Sequence, residues 1–240
     1  MSNRRDWPHV RLMMATTLDG KIATSRREAA RFGSPEDARR LETQVAWADV
    51  LLFGAATLRA YGTTYRVRRE ALLRLRQRRR KPPQPVTAVV TSSLDLPLEM
   101  PFFAKQDVPR IIITAESEKD RATARFHGLA EVFARGTSAV DWNAVLAEFK
   151  TRGLKRVLLL GGGHLNAELL SLGCVDEVCV TVSPFVFGGA DAPTIADGNL
   201  AAENWGGEPL LRTWELVGEE VFCTYRFRKR SPVNSSVRTQ

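Results

Sequence analysis

Cysteine and histidine are scarce in this 240-residue chain, which contains three of each. An odd number of cysteines without a dense pattern argues against a disulfide framework. Cys174 and Cys179 stand in a C-x4-C spacing that does not match a zinc ribbon, and the histidines are dispersed along the chain. The sequence therefore predicts reduced thiols and no metal site.

Long apolar runs are missing as well. The longest uncharged, mostly apolar run covers residues 178–190 and contains Pro184. It is shorter than the roughly 18–20 residues that a membrane span requires. The N-terminal stretch MSNRRDWPHV carries charges and lacks the apolar core of a signal peptide. We expect a cytoplasmic protein with no membrane segment.

Acidic residues are outnumbered, with 27 Asp and Glu against 35 Lys and Arg, which gives a formal charge of +8. This excess favours an anionic ligand or nucleic acid without choosing between them. Residues 66–81 alone hold eight arginines and one lysine. Because few aromatic residues are interleaved there, we interpret this stretch as a solvated amphipathic helix with Ala71, Leu72 and Leu75 on one side. A nucleic-acid partner is the less favoured alternative.

Buried strands alternate with helices through most of the chain, and a hairpin about Gly218 ends it. This order predicts an α/β fold whose mostly parallel central sheet is flanked by helices and closed by a C-terminal antiparallel hairpin. We expect one domain over residues 1–228 and a disordered polar tail over 229–240. The predicted strands are 9–16, 49–54, 86–92, 110–114, 130–134, 156–161, 176–189, 212–217 and 220–228, and the predicted helices are 34–47, 69–81, 116–127 and 141–152.

The stretch VLLLGGGHLNAELL, residues 157–170, joins an apolar strand to a helix through three glycines. Such a turn can bind an anion, because backbone N–H groups converge at the helix start and glycine allows close approach. A tight turn without a ligand is equally compatible with the motif. The spacing is only a partial dinucleotide fingerprint, since Asn166 replaces its third glycine, and it lies too late in the chain for a Rossmann domain.

Four stretches together resemble the C-terminal reductase domain of bacterial riboflavin-biosynthesis deaminase/reductases, and the stand-alone archaeal reductases of that pathway. They occur in the same order and at similar separations, and the resemblance covers about residues 8–228. The stretches are MATTLDGKIAT (14–24), DVLLFGAATLRA (49–60), VLLLGGGHLNAELLSLGCVDEV (157–178) and VSPFVFGGADAPTIADG (182–198). The deaminase signature H-x-E with P-C-x-x-C is absent, so the resemblance implies no zinc.

The resemblance implies a dihydrofolate-reductase-like fold and an NADPH-dependent reduction of a ribosyl group on a pyrimidine to ribityl. It also implies a set of cofactor contacts. The glycine turn would hold the diphosphate, and Thr16 would lie beside the nicotinamide. Thr57 would contact the cofactor from a helix start, and Ser92 would lie near the adenosine phosphate. A glycine pair in the loop after a long strand completes the set. The implied cofactor residues are Thr16, Thr57, Ser92, Gly161, Gly162, Gly163, His164, Leu165, Asn166, Gly188 and Gly189.

The substrate side departs from the family pattern. Tyr61 stands in place of an aspartate, Leu160 in place of a glutamate, and Val45 in place of an arginine, while Arg68 keeps a basic position for the substrate phosphate. A lost partner for a buried polar group costs about 1–3 kcal/mol, so these changes predict an altered substrate. Tyr61 is the candidate proton donor, and water is the alternative.

Two further expectations concern partners. The apolar residues Phe185, Val186 and Phe187 need cover, and the family is commonly dimeric, so we expect a homodimer. The alternative to a reductase is a non-catalytic protein on the same fold that binds a nucleotide or a nucleic acid.

Overall fold

A computed structural model describes residues 7–30, 32–198 and 207–228. Within these ranges nine strands form one sheet in the order β5-β4-β3-β2-β6-β1-β7-β9-β8. The predicted tail, 229–240, lies outside the described residues. The strands are β1 His9–Thr16, β2 Val50–Gly54, β3 Val86–Val90, β4 Arg110–Thr114, β5 Glu131–Ala134, β6 Arg156–Leu159, β7 Glu177–Val182, β8 Glu208–Val217 and β9 Glu220–Arg228.

Strands β1 to β7 pair in parallel, and β9 runs antiparallel to both β7 and β8. The predicted fold class is therefore confirmed. Strand β7 ends at Val182, well before residue 189, and β8 begins at Glu208 rather than at 212. The helices are α1 Pro35–Trp47, α2 Ala55–Tyr61, α3 Glu70–Arg78, α4 Pro101–Ala104, α5 Lys119–Arg125, α6 Trp142–Thr151 and α7 Gly163–Ser171.

Helix α1 begins as its sequence predicts. Ser34 is the N-cap, its hydroxyl oxygen accepts a hydrogen bond from the backbone N–H of Asp37 at 3.1 Å, and Pro35 occupies the first helical position. Proline suits that position because its missing N–H would be unpaired there in any case. These signals fix where the helix starts and therefore which of its side chains face the sheet.

The sheet separates two apolar layers, because alternate residues of a strand point to opposite faces. Leu51 packs on the face that holds α1, α2 and α4, whereas its neighbour Leu52 packs on the face that holds α6 and α7. The same alternation divides Ile112 from Ile111 in β4. Both layers are closed by fully buried aromatic residues, which include Phe102 on one face and Trp142 on the other.

Helix α3 corrects the interpretation of the basic stretch. Leu72 and Leu73 pack against the core, and Ala71 is exposed. Arg76 is not solvated but only 1% exposed, and its guanidinium donates hydrogen bonds to the carbonyl oxygens of Ala46 and Ala48. A guanidinium keeps its charge and its five N–H donors when it is buried, so those donors need acceptors within the protein. One arginine of the run therefore anchors α3 to the end of α1.

Within the ranges that the structure describes, none of the helices has the length and apolarity needed to cross a membrane.

Candidate active site

A cavity of about 1110 Å³ opens where the parallel strands β1, β2, β3 and β6 end. The carboxyl ends of parallel strands are where ligands bind in open α/β sheets. Its walls come from the glycine turn and α7 at one end, and from α1, the loop 22–30, residues 32–33 and residues 61–68 at the other. The volume is that of a site for a sizeable organic ligand.

The glycine turn places a bare helix start in the wall. Gly162 is the N-cap of the nine-residue helix α7, and no side chain caps it. The first N–H groups of a helix have no partner within the helix, and the helix dipole is positive at that end. Gly162, Gly163, His164 and Leu165 all line the cavity. An anionic group fits this wall.

Two of the glycines are required by close packing. Gly161 has φ +91°, and a Cβ there would lie 2.9 Å from Met14 Sδ. A Cβ on Gly163 would overlap the Asp197 carboxylate and approach the carbonyl oxygen of Thr194 to 2.7 Å. At Gly162 the space is open, because the nearest atom to a built Cβ is Thr57 Oγ1 at 3.5 Å. The middle glycine is thus the one that leaves room for a ligand.

Thr57 and Ser92 join the glycine turn on the same wall. The N–H of Gly162 donates to Thr57 Oγ1 at 3.1 Å, which ties α2 to the start of α7. Ser92 is exposed to the cavity just beyond the end of β3. These predicted positions come from three different strand ends and meet at one place.

Other predicted cofactor positions lie off the wall. Thr16 is buried at the end of β1, and its carbonyl oxygen accepts from the N–H of Ser183. Asn166 is fully buried, and its amide nitrogen donates to the carbonyl oxygen of Ile195 at 2.7 Å. Asn166 therefore holds the loop that packs on α7 and does not line the cavity.

The glycine pair Gly188 and Gly189 also lies outside the cavity lining. Both have positive φ, at 63° and 83°, and the N–H of Gly188 donates to Asp19 Oδ2 at 2.8 Å. Asp19 is likewise bonded to the hydroxyl of Thr17, and that bond and those from the 187–188 backbone lower the pKa of Asp19. The pair therefore shapes the loop after β7, whose backbone N–H groups bond to Asp19 in the loop after β1.

Of the four residues predicted on the substrate side, three line the cavity and one does not. Leu160, Tyr61 and Arg68 line the cavity. Val45 does not: it is fully buried in the apolar layer under α1. The cavity face of α1 is instead formed by Ser34, Asp37, Ala38, Leu41 and Glu42.

Two of the wall residues are already engaged in hydrogen bonds. The hydroxyl of Tyr61 donates to the carbonyl oxygen of Ala30 at 2.9 Å and so fastens the loop 22–30 to the end of α2. Glu42 accepts from the backbone N–H groups of Arg68 and Arg69, each at 2.7 Å. Burial would raise the pKa of Glu42, but these bonds and the Arg69 guanidinium hold it below its usual value.

A carboxyl group that sequence reasoning missed lies on the same helix face. Asp37 lines the cavity, and its Oδ1 accepts from the Thr181 hydroxyl of β7 at 2.7 Å. Glu220, which is only 4% exposed, lies behind it and accepts from Ser183 Oγ at 2.6 Å. In the sequence Asp37 carries only the signal of an acidic residue in a first helical turn. Its partners are far away in the chain, so that signal could not identify it.

Among the described residues, no group of three or more His, Cys, Asp or Glu side chains could hold a metal ion.

Comparison with known proteins identifies the family. The profile of the RibD C-terminal domain matches residues 8–223. The chain belongs to the RibD C-terminal domain family. The 2,5-diamino-6-ribosylamino-4(3H)-pyrimidinone 5′-phosphate reductase of Methanothermobacter thermautotrophicus is 34% identical over 221 residues, which are 91% of this chain and 97% of that protein.

Solved structures agree on the fold. A pyrimidine reductase-like protein from Corynebacterium diphtheriae superposes with a TM-score of 0.81 at 21% identity, over 93% of each chain. Dihydrofolate reductase from Enterococcus faecalis, in complex with NADP(H), gives a TM-score of 0.52 at 14% identity over 92% of this chain and 97% of that one. The expected dihydrofolate-reductase-like fold is confirmed, and this RibD-type chain is a member of a reductase family.

Proposed function

We propose that this chain is the NADPH-dependent reductase of riboflavin biosynthesis that acts on 2,5-diamino-6-ribosylamino-4(3H)-pyrimidinone 5′-phosphate. The observation that carries the proposal is that one cavity is lined both by a bare helix start and by the exposed cationic side chains of Arg66 and Arg68. The archaeal relative named for this reaction is matched over nearly its whole length. A cytoplasmic location goes with the proposal.

The residues at the glycine end fit a dinucleotide. The first turn of α7 would hold the diphosphate through Gly162, Gly163 and His164, and Thr57 fixes that turn. Ser92 and Arg59 line the same end, and an arginine suits the 2′-phosphate that distinguishes NADPH from NADH. When bound, the nicotinamide supplies a hydride, and the protein supplies orientation and electrostatics.

The other end fits a phosphorylated sugar. Arg66 and Arg68 are exposed side chains on the cavity wall, and a guanidinium binds phosphate oxygens in a bidentate manner. Opening a ribosyl ring by reduction breaks the bond between C1′ and the ring oxygen. C1′ gains a hydrogen, and the ring oxygen gains a proton. The chain must therefore orient the ring and provide that proton.

A changed substrate is the second candidate, and one observation favours it. Leu160 lies on the wall directly before the glycine turn, where an apolar side chain cannot bond a sugar hydroxyl. A substrate with an apolar group at that point would then be preferred.

Turnover decides between these candidates. Wild-type enzyme is given NADPH and the diaminopyrimidinone phosphate, and the absorbance of the reduced nicotinamide is followed. We expect turnover of about 1 s⁻¹ or more and a preference for NADPH over NADH. Tight binding of NADPH without turnover would reject this substrate and favour a changed one. The absence of NADPH binding would reject the reductase and leave the nucleic-acid alternative, which is tested by salt-sensitive binding of an oligonucleotide.

We also propose that the protein is a homodimer joined through β8. This strand is an edge of the sheet, and Leu211, Trp214 and Leu216 are 50%, 68% and 64% exposed on it. An exposed apolar edge strand is a ready surface for pairing. Light scattering should give a dimer mass for the wild type and a monomer mass for Trp214→Arg. A monomer mass for the wild type at all concentrations would refute the dimer.

A further inference from the structure

The strands beside the glycine turn position one carboxyl group at the cavity. In the sheet, β6 leads to the glycine turn, β1 is its neighbour, and β7 follows β1. Thr181 of β7 pairs with Ala15 of β1, which lines the cavity. Two strand spacings, or about 10 Å, therefore separate the backbone of Thr181 from the strand that leads to the glycine turn. The carboxyl group of Asp37 is bonded to Thr181 on this side of the cavity.

Asp37 holds this position through one oxygen. Its Oδ1 accepts from the hydroxyl of Thr181, a residue that is 2% exposed. Its Oδ2 has no hydrogen-bond partner within the part of the chain that the structure describes. It faces the backbone of Gly33, where a built Cβ would come within 2.5 Å of it. One carboxyl oxygen is thus fixed, and the described residues leave the other without a hydrogen bond on a side chain that lines the cavity.

Burial and the neighbouring charge of Glu220 oppose the ionisation of Asp37. Burial raises the pKa of Asp37, and repulsion from Glu220 raises it further. The Thr181 hydrogen bond and the charge of Arg40 act in the other direction, and the pKa remains above its ordinary value. Glu220 is itself fixed behind the helix start by the N–H and hydroxyl of Ser34 and by Ser183. It is a permanent neighbour of Asp37 in the fold.

The other acidic or hydroxyl groups of the wall are less suited to hold a proton for a ligand. Glu42 is kept ionised by its three bonds to Arg68 and Arg69. The Tyr61 hydroxyl proton is donated to the Ala30 carbonyl. Glu28 and Glu168 are exposed to solvent. Asp197 also lines the cavity, but its carboxylate lies against Gly163 at the glycine turn, which is the proposed cofactor side, and its Oδ1 accepts from the N–H and the hydroxyl of Thr194. Asp37 combines burial, an acidic neighbour and an open oxygen.

We propose that Asp37 is the catalytic acid, which passes the proton on its Oδ2 to the ring oxygen of the sugar as that oxygen leaves C1′. Glu220 is a positioning residue that acts through Asp37. The proposal rests on the proposed function, whose reaction requires one proton for each hydride. The oxygen becomes a hydroxyl, Asp37 is left as a carboxylate, and solvent restores its proton after product release.

The first test needs no cofactor or substrate. The side-chain carboxyl carbons of ¹³C-labelled aspartate are titrated by NMR in the wild type, and the Asp37 signal is assigned by its absence in Asp37→Asn. We expect a raised pKa for Asp37 in the wild type. Glu220→Gln should lower it, because repulsion is removed. Thr181→Val should raise it, because the carboxylate loses a donor. An ordinary pKa that neither change moves would overturn the proposal.

The second test is kinetic. Asp37→Asn keeps the acceptor for Thr181 but has no acidic proton, so kcat should fall about 100-fold, the lower end of the range for general acid catalysis. KM should stay within about twofold. Glu36→Gln is the matched control, because Glu36 lies on the same turn, pairs with Arg39 and does not line the cavity. It should retain wild-type activity.

The pH profile connects the two tests. Wild-type kcat should fall as the pH rises through the Asp37 pKa, with the fall moved to lower pH in Glu220→Gln and to higher pH in Thr181→Val. A rise in KM without a fall in kcat for Asp37→Asn would show a binding role for Asp37 and overturn the proposal. If the wild type binds NADPH but does not reduce this substrate, the proposed substrate is wrong. The NMR titration then decides on Asp37: a raised pKa that shifts in Glu220→Gln and Thr181→Val supports Asp37 as the acid of the cavity, and an ordinary pKa that neither variant moves rejects it.

Discussion

At the glycine end of the cavity the wall is backbone, whereas at the α1 end it is side chains. Gly162 and Gly163 present a helix start whose binding groups are peptide N–H donors. Asp37, Tyr61 and Arg68 present functional groups whose placement depends on contacts with distant segments. A backbone site is specified by a few adjacent residues, and a side-chain site by the whole fold. The two ends should therefore respond differently to substitution.

Gly162→Asp should produce the largest effect. The new carboxylate would stand at the helix start, where it fills the space for the diphosphate and repels its charge. We expect NADPH affinity to fall by at least about 100-fold, measured by calorimetry.

The matched control is Gly162→Ala, because a Cβ there meets only Thr57 Oγ1 at an ordinary 3.5 Å. It should weaken binding far less and leave the fold unchanged. Gly163→Ala would be a poor test, since its Cβ would strike the Asp197 carboxylate and disturb packing whether or not a ligand binds. Equal NADPH affinity in the wild type and Gly162→Asp would remove the glycine end from the cofactor site.

Leu160→Glu probes the junction of the two ends and should have the next largest effect. Leu160 is 8% exposed, so even the neutral carboxyl group of a glutamate there costs roughly 1–3 kcal/mol of unfolding free energy without a hydrogen-bond partner, and the charged form costs more. Burial would raise the folded-state pKa of the new glutamate above the unfolded value of about 4.3. Since the folded state then binds the extra proton, the loss of stability should grow as pH rises through that interval.

Urea denaturation at several pH values measures this loss, with the wild type as the reference. The same variant tests the changed-substrate candidate, because the glutamate restores the polar residue of the family pattern. Higher kcat/KM on the diaminopyrimidinone phosphate would show that Leu160 limits the use of that substrate. Wild-type turnover already at a normal enzyme rate would show that it does not.

The difference between the ends also explains what the sequence could predict. The strands, the start of α1 and the glycine turn depend on residues close together in the chain, and local patterns identified them. On α1 the cavity face follows the helical repeat through positions 34, 37, 38, 41 and 42. Val45 continues the same face but lies one turn further on, where the helix has entered the apolar core. An ungapped alignment could not show where the cavity ends along the helix.

Local sequence patterns could not identify Asp37 either, because its position at the site depends on distant segments. Its partners Thr181 and Glu220 are more than a hundred residues away, and only the pairing of β7 with β1 and β9 brings them together. Arg76 is a parallel case, because nothing in a run of arginines marks the one that will meet the carbonyl oxygens at the end of α1.

The smallest effect is expected for Tyr61→Phe, at the side-chain end. The sequence made Tyr61 the candidate proton donor, but its hydroxyl is bonded to the Ala30 carbonyl at 2.9 Å and fastens the loop 22–30. Loss of one such bond costs about 1 kcal/mol, so KM should rise by severalfold while kcat changes little. Steady-state kinetics beside Asp37→Asn separates the two roles, because a fall of kcat by about 100-fold in Tyr61→Phe would restore Tyr61 as the acid. A rise in KM alone assigns Tyr61 to the loop and leaves the proton to the carboxyl group on α1.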